Sequence, residues 1–436
     1  MSIVCKFGGT SLASSENIRK VRDIVKANEE RRFVVVSAPG KRSKDDIKIT
    51  DCLIECFNLS KKGECYANTL GIIKERFNGL KADLNVKCDL NEDFDKLEEA
   101  IKNHNDYDYV VSRGEYFSAR IISAFFGFKF VDASSLIVFD EDGKVDLEVT
   151  NGLIQEHLTD GCFVVPGFYG VDKTGVIKVF SRGGSDLSGA ILANALKCSI
   201  YENWTDVDGF MASDPKLIEN PPVIKKLTYH ELRELSYMGA TVLHPSCTGF
   251  LKDKGIAINL RNTFNPESEG SLIIPDDEEV KSDTITGIAG QKGFTILHLE
   301  KYDLNESLGL IETIAKIFKK HKVSIEHIPT GIDSVSIIFK SKNLKDEVLQ
   351  QIQNDLIEEI IPDKMQIIES VALISVVGNA LRNNFMLERK AFESVFMCDV
   401  ELLTVNKGAK GMSIIFGVAE ENFKKVSKSL FVNLIR

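Results

Sequence analysis

The sequence predicts an α/β protein: a mainly parallel sheet sandwiched by helices over residues 1–285, followed by a duplicated small α+β module. Three observations carry that prediction. Up to about residue 285, short apolar runs alternate with longer amphipathic helical patterns, as in a layered α/β sheet. Glycine turns follow several of the apolar runs, and ligand loops of open α/β sheets gather at the C-terminal ends of strands. Beyond residue 285, two blocks of sequence repeat in one register.

The strands are expected at 2–7, 33–37, 109–112, 129–132, 163–166, 177–180, 199–203 and 256–260, each a short run rich in Val, Ile or Phe. Amphipathic helices are expected between them at 15–28, 115–126, 186–196 and 228–238. Residues 264–283 are polar and turn-rich, with Pro266, Gly270, Pro275 and four consecutive acids from Asp276. They read as the approach to a domain boundary. Past it, Ile296-Leu297 corresponds to Leu373-Ile374, and Ser336-Ile337-Ile338-Phe339 recurs as Ser413-Ile414-Ile415-Phe416. Both correspondences are offset by 77 residues without a gap (373 against 296, 413 against 336). Each copy holds a helical run (311–320, 385–396) and a second strand (323–328, 399–405), so the repeat is a duplicated module. The expected divisions are 1–285, 286–370 and 371–436, with a strand near 294–300 also available to complete the second module.

Composition sets the background. At 436 residues, 43% hydrophobic and 27% charged, the chain reads as a multi-domain globular protein. A net charge of −10 argues against wholesale nucleic-acid binding. Its nine cysteines are odd in number and contain no Cys-x-x-Cys pair, so neither a disulfide framework nor a zinc knuckle is indicated. No apolar run approaches a membrane span and the N-terminus enters a strand. A reducing cytoplasm is the expected location.

The most telling stretch is Lys6-Phe7-Gly8-Gly9-Thr10-Ser11. A strand ending in a Gly-Gly turn and feeding a helix presents backbone N–H groups to phosphate, and Lys6 at the strand end reaches the same anion. A second glycine turn, Ser181-Arg182-Gly183-Gly184-Ser185-Asp186, again lies between a strand and a helix. Arg182 is the candidate for gripping an anionic substrate in a guanidinium fork. Asp186 reads equally as an N-cap and as an organiser of the site. Two such turns in one sheet imply an anionic acceptor meeting a nucleotide. Glu115, in Ser112-Arg113-Gly114-Glu115, is either dipole compensation at a helix start or the counterpart of a substrate ammonium. The loop Trp204-Thr205-Asp206-Val207-Asp208-Gly209 and the turn Ser213-Asp214-Pro215-Lys216 suit a nucleotide's base and ribose. Ser37-Ala38-Pro39-Gly40 and Thr50-Asp51 complete the set, and the basic run Lys41 to Lys44 reads as a solvated loop.

In this order the motifs KFGGTS, SAPG with TD, SRGE, SRGGSD, WTDVDG with DP, and LHP (243–245) resemble those of aspartokinases. These are members of the amino acid kinase superfamily, and the resemblance runs along essentially the whole chain. It implies the superfamily's catalytic fold, followed by two ferredoxin-like ACT modules of the kind that bind effector amino acids. It further implies ATP contacts at Lys6, Phe7, Gly8, Gly9, Ser37, Thr205, Asp206, Met211 and Lys216. Aspartate would be held by Thr50, Glu115, Arg182, Gly183, Gly184 and Ser185, with Lys6 and Asp186 as the catalytic pair. The implied reaction moves the γ-phosphoryl of MgATP to the side-chain carboxylate of L-aspartate. The implied setting is biosynthesis of lysine, threonine and methionine in a homodimer or homotetramer. No dehydrogenase portion is expected after Arg436, so the chain reads as monofunctional.

Two departures stand out. Thr241 replaces a lysine that many relatives carry before Leu-His-Pro, and Met211 and Lys216 replace an aromatic and an arginine. An effector would touch Asn305 to Gly309 and the strand near Ser324 to Glu326, with Glu326 pairing its ammonium. The second module has Val405-Asn406-Lys407-Gly408-Ala409-Lys410 where relatives carry Asn-Gln-Gly-Ser-Ser-Glu, which fits a pairing role without ligand. Two competing readings are a superfamily member acting on another substrate and a catalytically inactive amino-acid sensor.

Overall fold

The computed structural model describes residues 2–104, 106–181, 183–240, 242–276, 284–341, 344–408 and 411–436. The chain forms two compact units. The first comprises Met1–Phe210, Val223–Leu232 and Val242–Glu279; the second comprises Met211–Pro222, Arg233–Thr241 and Val280–Arg436.

The first unit is built on an eight-stranded sheet. Its spatial order is Lys226–Thr228, Ser271–Ile274, Ala257–Asn262, Ile200–Thr205, Ile3–Phe7, Phe33–Val36, Phe163–Pro166 and Lys129–Phe130. Every pair is parallel except Ala257–Asn262 with Ser271–Ile274. Side chains alternate along a strand, and this sorts the central strand by face. Ile3, Cys5 and Phe7 join a core with Ile18, Leu53, Phe77, Phe94 and Phe117, drawn from five helices. Val4 and Lys6 therefore face the opposite side, where the helix Gly184–Ala195 packs.

Several expectations need correction. Residues 109–112 are not a strand but part of the helix Tyr107–Phe126. Asp106 caps that helix by accepting the Tyr109 amide at 2.8 Å, and core contacts of Val110 and Val111 override their β-propensity. Glu115 is thus mid-helix rather than at a helix start, and SRGE does not follow a strand. The expected strand at 177–180 forms as Ile177–Val179, but in a separate three-stranded sheet with Val138–Phe139 and Tyr169–Asp172. The turn-rich segment 264–283 contains the sheet strand Ser271–Ile274, and its residues 277–283 lie outside the described residues.

In the second unit a six-stranded antiparallel sheet runs Ile325–His327, Ser334–Lys340, Gly287–Glu300, Lys364–Val377, Ser413–Ala419 and Thr404–Asn406. The two 14-residue strands pair along their whole length. Residues 294–300 also pair with Ser334–Lys340, while 371–377 pair with Ser413–Ala419. The strand segment beside the second repeat is therefore 287–292, upstream of the expected 294–300. Helices Asp346–Ile360 and Phe423–Leu434 start at equivalent positions of the two copies, keeping the 77-residue offset (423 against 346).

Candidate active site

The site grows from the end of the strand Ile3–Phe7. Gly8 donates its amide to Trp204 O at 3.0 Å, and Gly40 donates to Gly9 O at 2.8 Å. A Cβ on Gly9 would lie 2.9 Å from Ala38 O, and one on Gly40 would lie 2.7 Å from the Gly9 carbonyl carbon. Only glycine lets these two loops touch. Ser37, half-buried, is tied in by its amide to Phe7 O at 3.2 Å. The Gly8 amide is committed to Trp204, and the helix Ser15–Lys26 has its own cap, Ser14 Oγ, which accepts the Asn17 amide. The opening turn feeds first a short 3-10 helix, Thr10–Leu12, whose N-cap Gly9 makes no side-chain capping bond.

The second glycine turn feeds an α-helix directly. Gly183 adopts a left-handed conformation (φ 59°) as N-cap of the helix Gly184–Ala195 and makes no side-chain capping bond. Amides at such a terminus suit an anion. A Cβ on Gly183 would come within 2.5 Å of the His244 ring, so the turn is held close. Asp186 lies in the first turn of this helix and is no cap. Instead its Oδ1 takes Lys6 Nζ at 2.7 Å. Asn203 Nδ2 donates to the same oxygen at 2.8 Å, and the His244 amide donates to Oδ2 at 3.2 Å. Burial pushes the Asp186 carboxyl up, but Lys6, Asn203 and the His244 amide outweigh it and hold the group below its ordinary range. The Lys6–Asp186 contact brings the two glycine turns together. Arg182 lies outside the described residues.

Glu115 is buried in the helix Tyr107–Phe126. Burial is the main influence and pushes its carboxyl up to about 8, against smaller opposing pulls from the Ala38 amide, its own amide and Arg113. Its Oε2 is buried without a hydrogen-bond partner among the described residues, a costly arrangement unless a cation arrives. Through Ala38, Glu115 adjoins the same loop that touches Gly9. Thr50, half-buried, lies at the start of the helix Ile49–Lys61, whose first amide donates to Pro39 O at 3.4 Å. Ser185 is buried beside Gly167.

Thr205 ends its strand and donates through Oγ1 to Asp206 Oδ1 at 3.2 Å, with Asp206 exposed. Beneath them Arg31 grips Glu202 through Nε at 2.9 Å and Nη2 at 3.1 Å, and Trp204 Nε1 donates to Glu202 at 2.9 Å. Met211 and Lys216 belong to the second unit, where the Lys216 amide donates to Asp214 Oδ1 at 2.8 Å. The basic loop is less free than its sequence suggested. Arg42 and Arg76 both clamp Asp46, with Arg76 Nη2 at 2.6 Å, and Arg76 also donates to Gly40 O at 3.2 Å.

Residues 1–262 match the Amino acid kinase family. Aspartokinase 3 of Bacillus subtilis is 34% identical, over 98% of this chain and 97% of that protein. The crystal structure of Clostridium acetobutylicum aspartate kinase superposes with a TM-score of 0.89 at 37% identity, covering 99% of both chains. The chain belongs to the aspartokinases of the amino acid kinase family. The fold extends to Escherichia coli aspartokinase III, solved with aspartate and ADP, at a TM-score of 0.79, 24% identity and full coverage.

Sequence reasoning about this aspartokinase missed Asn203 and the His244 amide. The signal for Asn203 was available, since a polar side chain in a buried central strand needs a partner. The backbone bond of His244 left no such signal. In the second unit Asn305 is exposed and its amide donates to Ile332 O at 3.0 Å. Gly309 is the left-handed N-cap of the helix Leu310–Lys320, again without a side-chain cap. Ser324 is exposed, and half-buried Glu326 has its Oε2 buried without a hydrogen-bond partner among the described residues. Among the described residues no helix is long and apolar enough to cross a membrane.

Proposed function

We infer that this aspartokinase transfers the γ-phosphoryl group of ATP to the side-chain carboxylate of L-aspartate, giving 4-phospho-L-aspartate and ADP. The observation that carries the reading is the 2.7 Å contact between Lys6 and Asp186, which joins the two glycine turns in one site. An aspartate carboxylate is already ionised at neutral pH, so no covalent enzyme intermediate is required. The site's work is positioning and charge neutralisation.

Lys6 neutralises the transferred phosphoryl, and Asp186 orients Lys6. The amides at Gly183, Gly184 and Ser185, with Arg182, bind the acceptor's anionic end. Glu115 takes its ammonium, which supplies the missing partner of Oε2. Thr50 lines the acceptor side, while Phe7, Gly8, Gly9, Ser37, Thr205 and Asp206 line the nucleotide side. Near Lys6 the carboxylate of Asp186 is engaged, and among the described residues no group of three or more His, Cys, Asp or Glu could hold a metal. Magnesium fits as an ion taking its oxygens mainly from phosphate and water, where it adds positive charge against the phosphates. The duplicated module binds an effector amino acid at Asn305, Gly309, Ser324 and Glu326. We place the enzyme in the cytoplasm as a homo-oligomer at the entry to lysine, threonine and methionine synthesis.

The test is hydroxylamine trapping of the acyl phosphate with aspartate and ATP. Lys6→Ala lowers the signal by at least about a hundredfold with the circular dichroism spectrum unchanged. Undiminished turnover in that variant would refute the role of Lys6.

A further inference from the structure

We propose that Asn203 is a positioning residue for phosphoryl transfer, acting by sharing Asp186 Oδ1 with Lys6 and so keeping the Lys6 ammonium transferable to phosphate. The proposal rests on the aspartate kinase reading above. Lys6 and Asn203 are register partners on the parallel strands Ile3–Phe7 and Ile200–Thr205. Val4 and Tyr201, two residues before them, are partners too. All four side chains thus project from the same sheet face, the one covered by the helix Gly184–Ala195.

That helix lies close to the sheet because of Gly189, where a Cβ would fall 2.6 Å from the Tyr201 ring. Tyr201 Oη donates to the Asp186 backbone carbonyl at 3.0 Å and accepts from Asn203 Nδ2 at 3.2 Å. Asn203 Nδ2 also donates to Asp186 Oδ1 at 2.8 Å, beside Lys6 Nζ at 2.7 Å on the same oxygen. One carboxylate oxygen thus serves two donors, so Lys6 does not hold it alone. Asn203 is itself buried, so its amide stays on Asp186 whether or not Lys6 does. When the ammonium turns to a phosphoryl oxygen, Asn203 and the His244 amide still hold the carboxylate in place. Without Asn203, Lys6 becomes the sole donor to Oδ1 among the described residues and the ion pair resists separation.

The experiment uses the full chain, with aspartate and ATP, in hydroxamate and ADP-release assays. Asn203→Leu, close in size but without donors, is expected to lower kcat about tenfold, the value of one hydrogen bond to a charged group. Its KM for aspartate and its ADP affinity by calorimetry stay within about twofold, and the acid limb of kcat moves up by about one pH unit. Asn203→Asp adds a second carboxylate facing Lys6, and its activity relative to wild type rises as pH falls and the introduced carboxyl protonates. A purely structural role would move neither pH signature. If wild type forms acyl phosphate and both variants keep its kcat and pH profile, Asn203 has no positioning role. If neither variant folds, Asn203 is a packing residue and the proposal also falls. A wild type that forms no acyl phosphate overturns instead the aspartate kinase reading.

Discussion

Aspartate recognition through Glu115 should carry a steep pH dependence. Buried in its helix, the Glu115 carboxyl sits at about 8, yet only its ionised form pairs with an ammonium. At pH 7 about one-tenth of the free enzyme is ionised there. The apparent KM for aspartate is then about tenfold above its alkaline limit, which costs about 1.4 kcal/mol of binding. Below pH 8 the logarithm of KM falls by one for each unit rise in pH, and above it the curve flattens. Binding near pH 7 also releases about 0.9 of a proton, measurable by calorimetry in buffers of different ionisation enthalpy.

Stability runs the opposite way. The folded carboxyl titrates far above its unfolded value near 4.5, so the folded state holds more protons between about 4.5 and 8 and loses stability as pH rises through that window. Glu115→Gln is expected to melt above wild type at pH 8.5 and close to it at pH 4.5. It should also abolish the KM dependence while raising KM about a hundredfold. A wild-type KM constant within twofold from pH 6 to 8.5, with no proton released, would show the reasoning to be wrong.

Two further outcomes are expected. Arg76→Met removes one of the two clamps on Asp46 and the bond to Gly40 O, so it should cost about 2 kcal/mol in urea unfolding. Arg42 and Arg76 hold the Asp46 carboxyl well below the usual carboxylate range, so this stability is present above about pH 4 and fades as pH falls below it; a variant whose loss is as large at pH 2.5 as at pH 7 contradicts the assignment. In the second unit, Glu326 Oε2 is buried with no hydrogen-bond partner among the described residues. A thermal-shift panel of lysine, threonine and methionine should find at least one stabilising ligand whose shift disappears in Glu326→Gln, and persistence of the shift would remove Glu326 from the effector site.

How much of this was legible in the chain differs from feature to feature. The strands Phe33–Val36 and Phe163–Pro166 announce themselves because a parallel strand inside the sheet is buried on both faces and reads as a continuous apolar run. The same cue misled at 109–112, where Val110 and Val111 are equally apolar but belong to a capped helix. Periodicity over four residues does not distinguish a buried strand from a buried helix turn. The 77-residue duplication was plain, but its long paired strands were not, since pairing across 287–377 is non-local.

The class of the protein, its repeat and the residue types of its site are written in the chain: glycines where backbones touch, and cations and carboxylates where charge must be handled. These are local demands, satisfied by residue identity at one place in the chain. The three-dimensional fold alone set that Lys6 and Asn203 meet on one oxygen of Asp186, that the second glycine turn feeds a long helix while the first feeds a short 3-10 turn, and that one oxygen of Glu115 has no partner among the described residues. Each depends on strand register and helix approach between segments up to some two hundred residues apart, and no local pattern encodes that geometry.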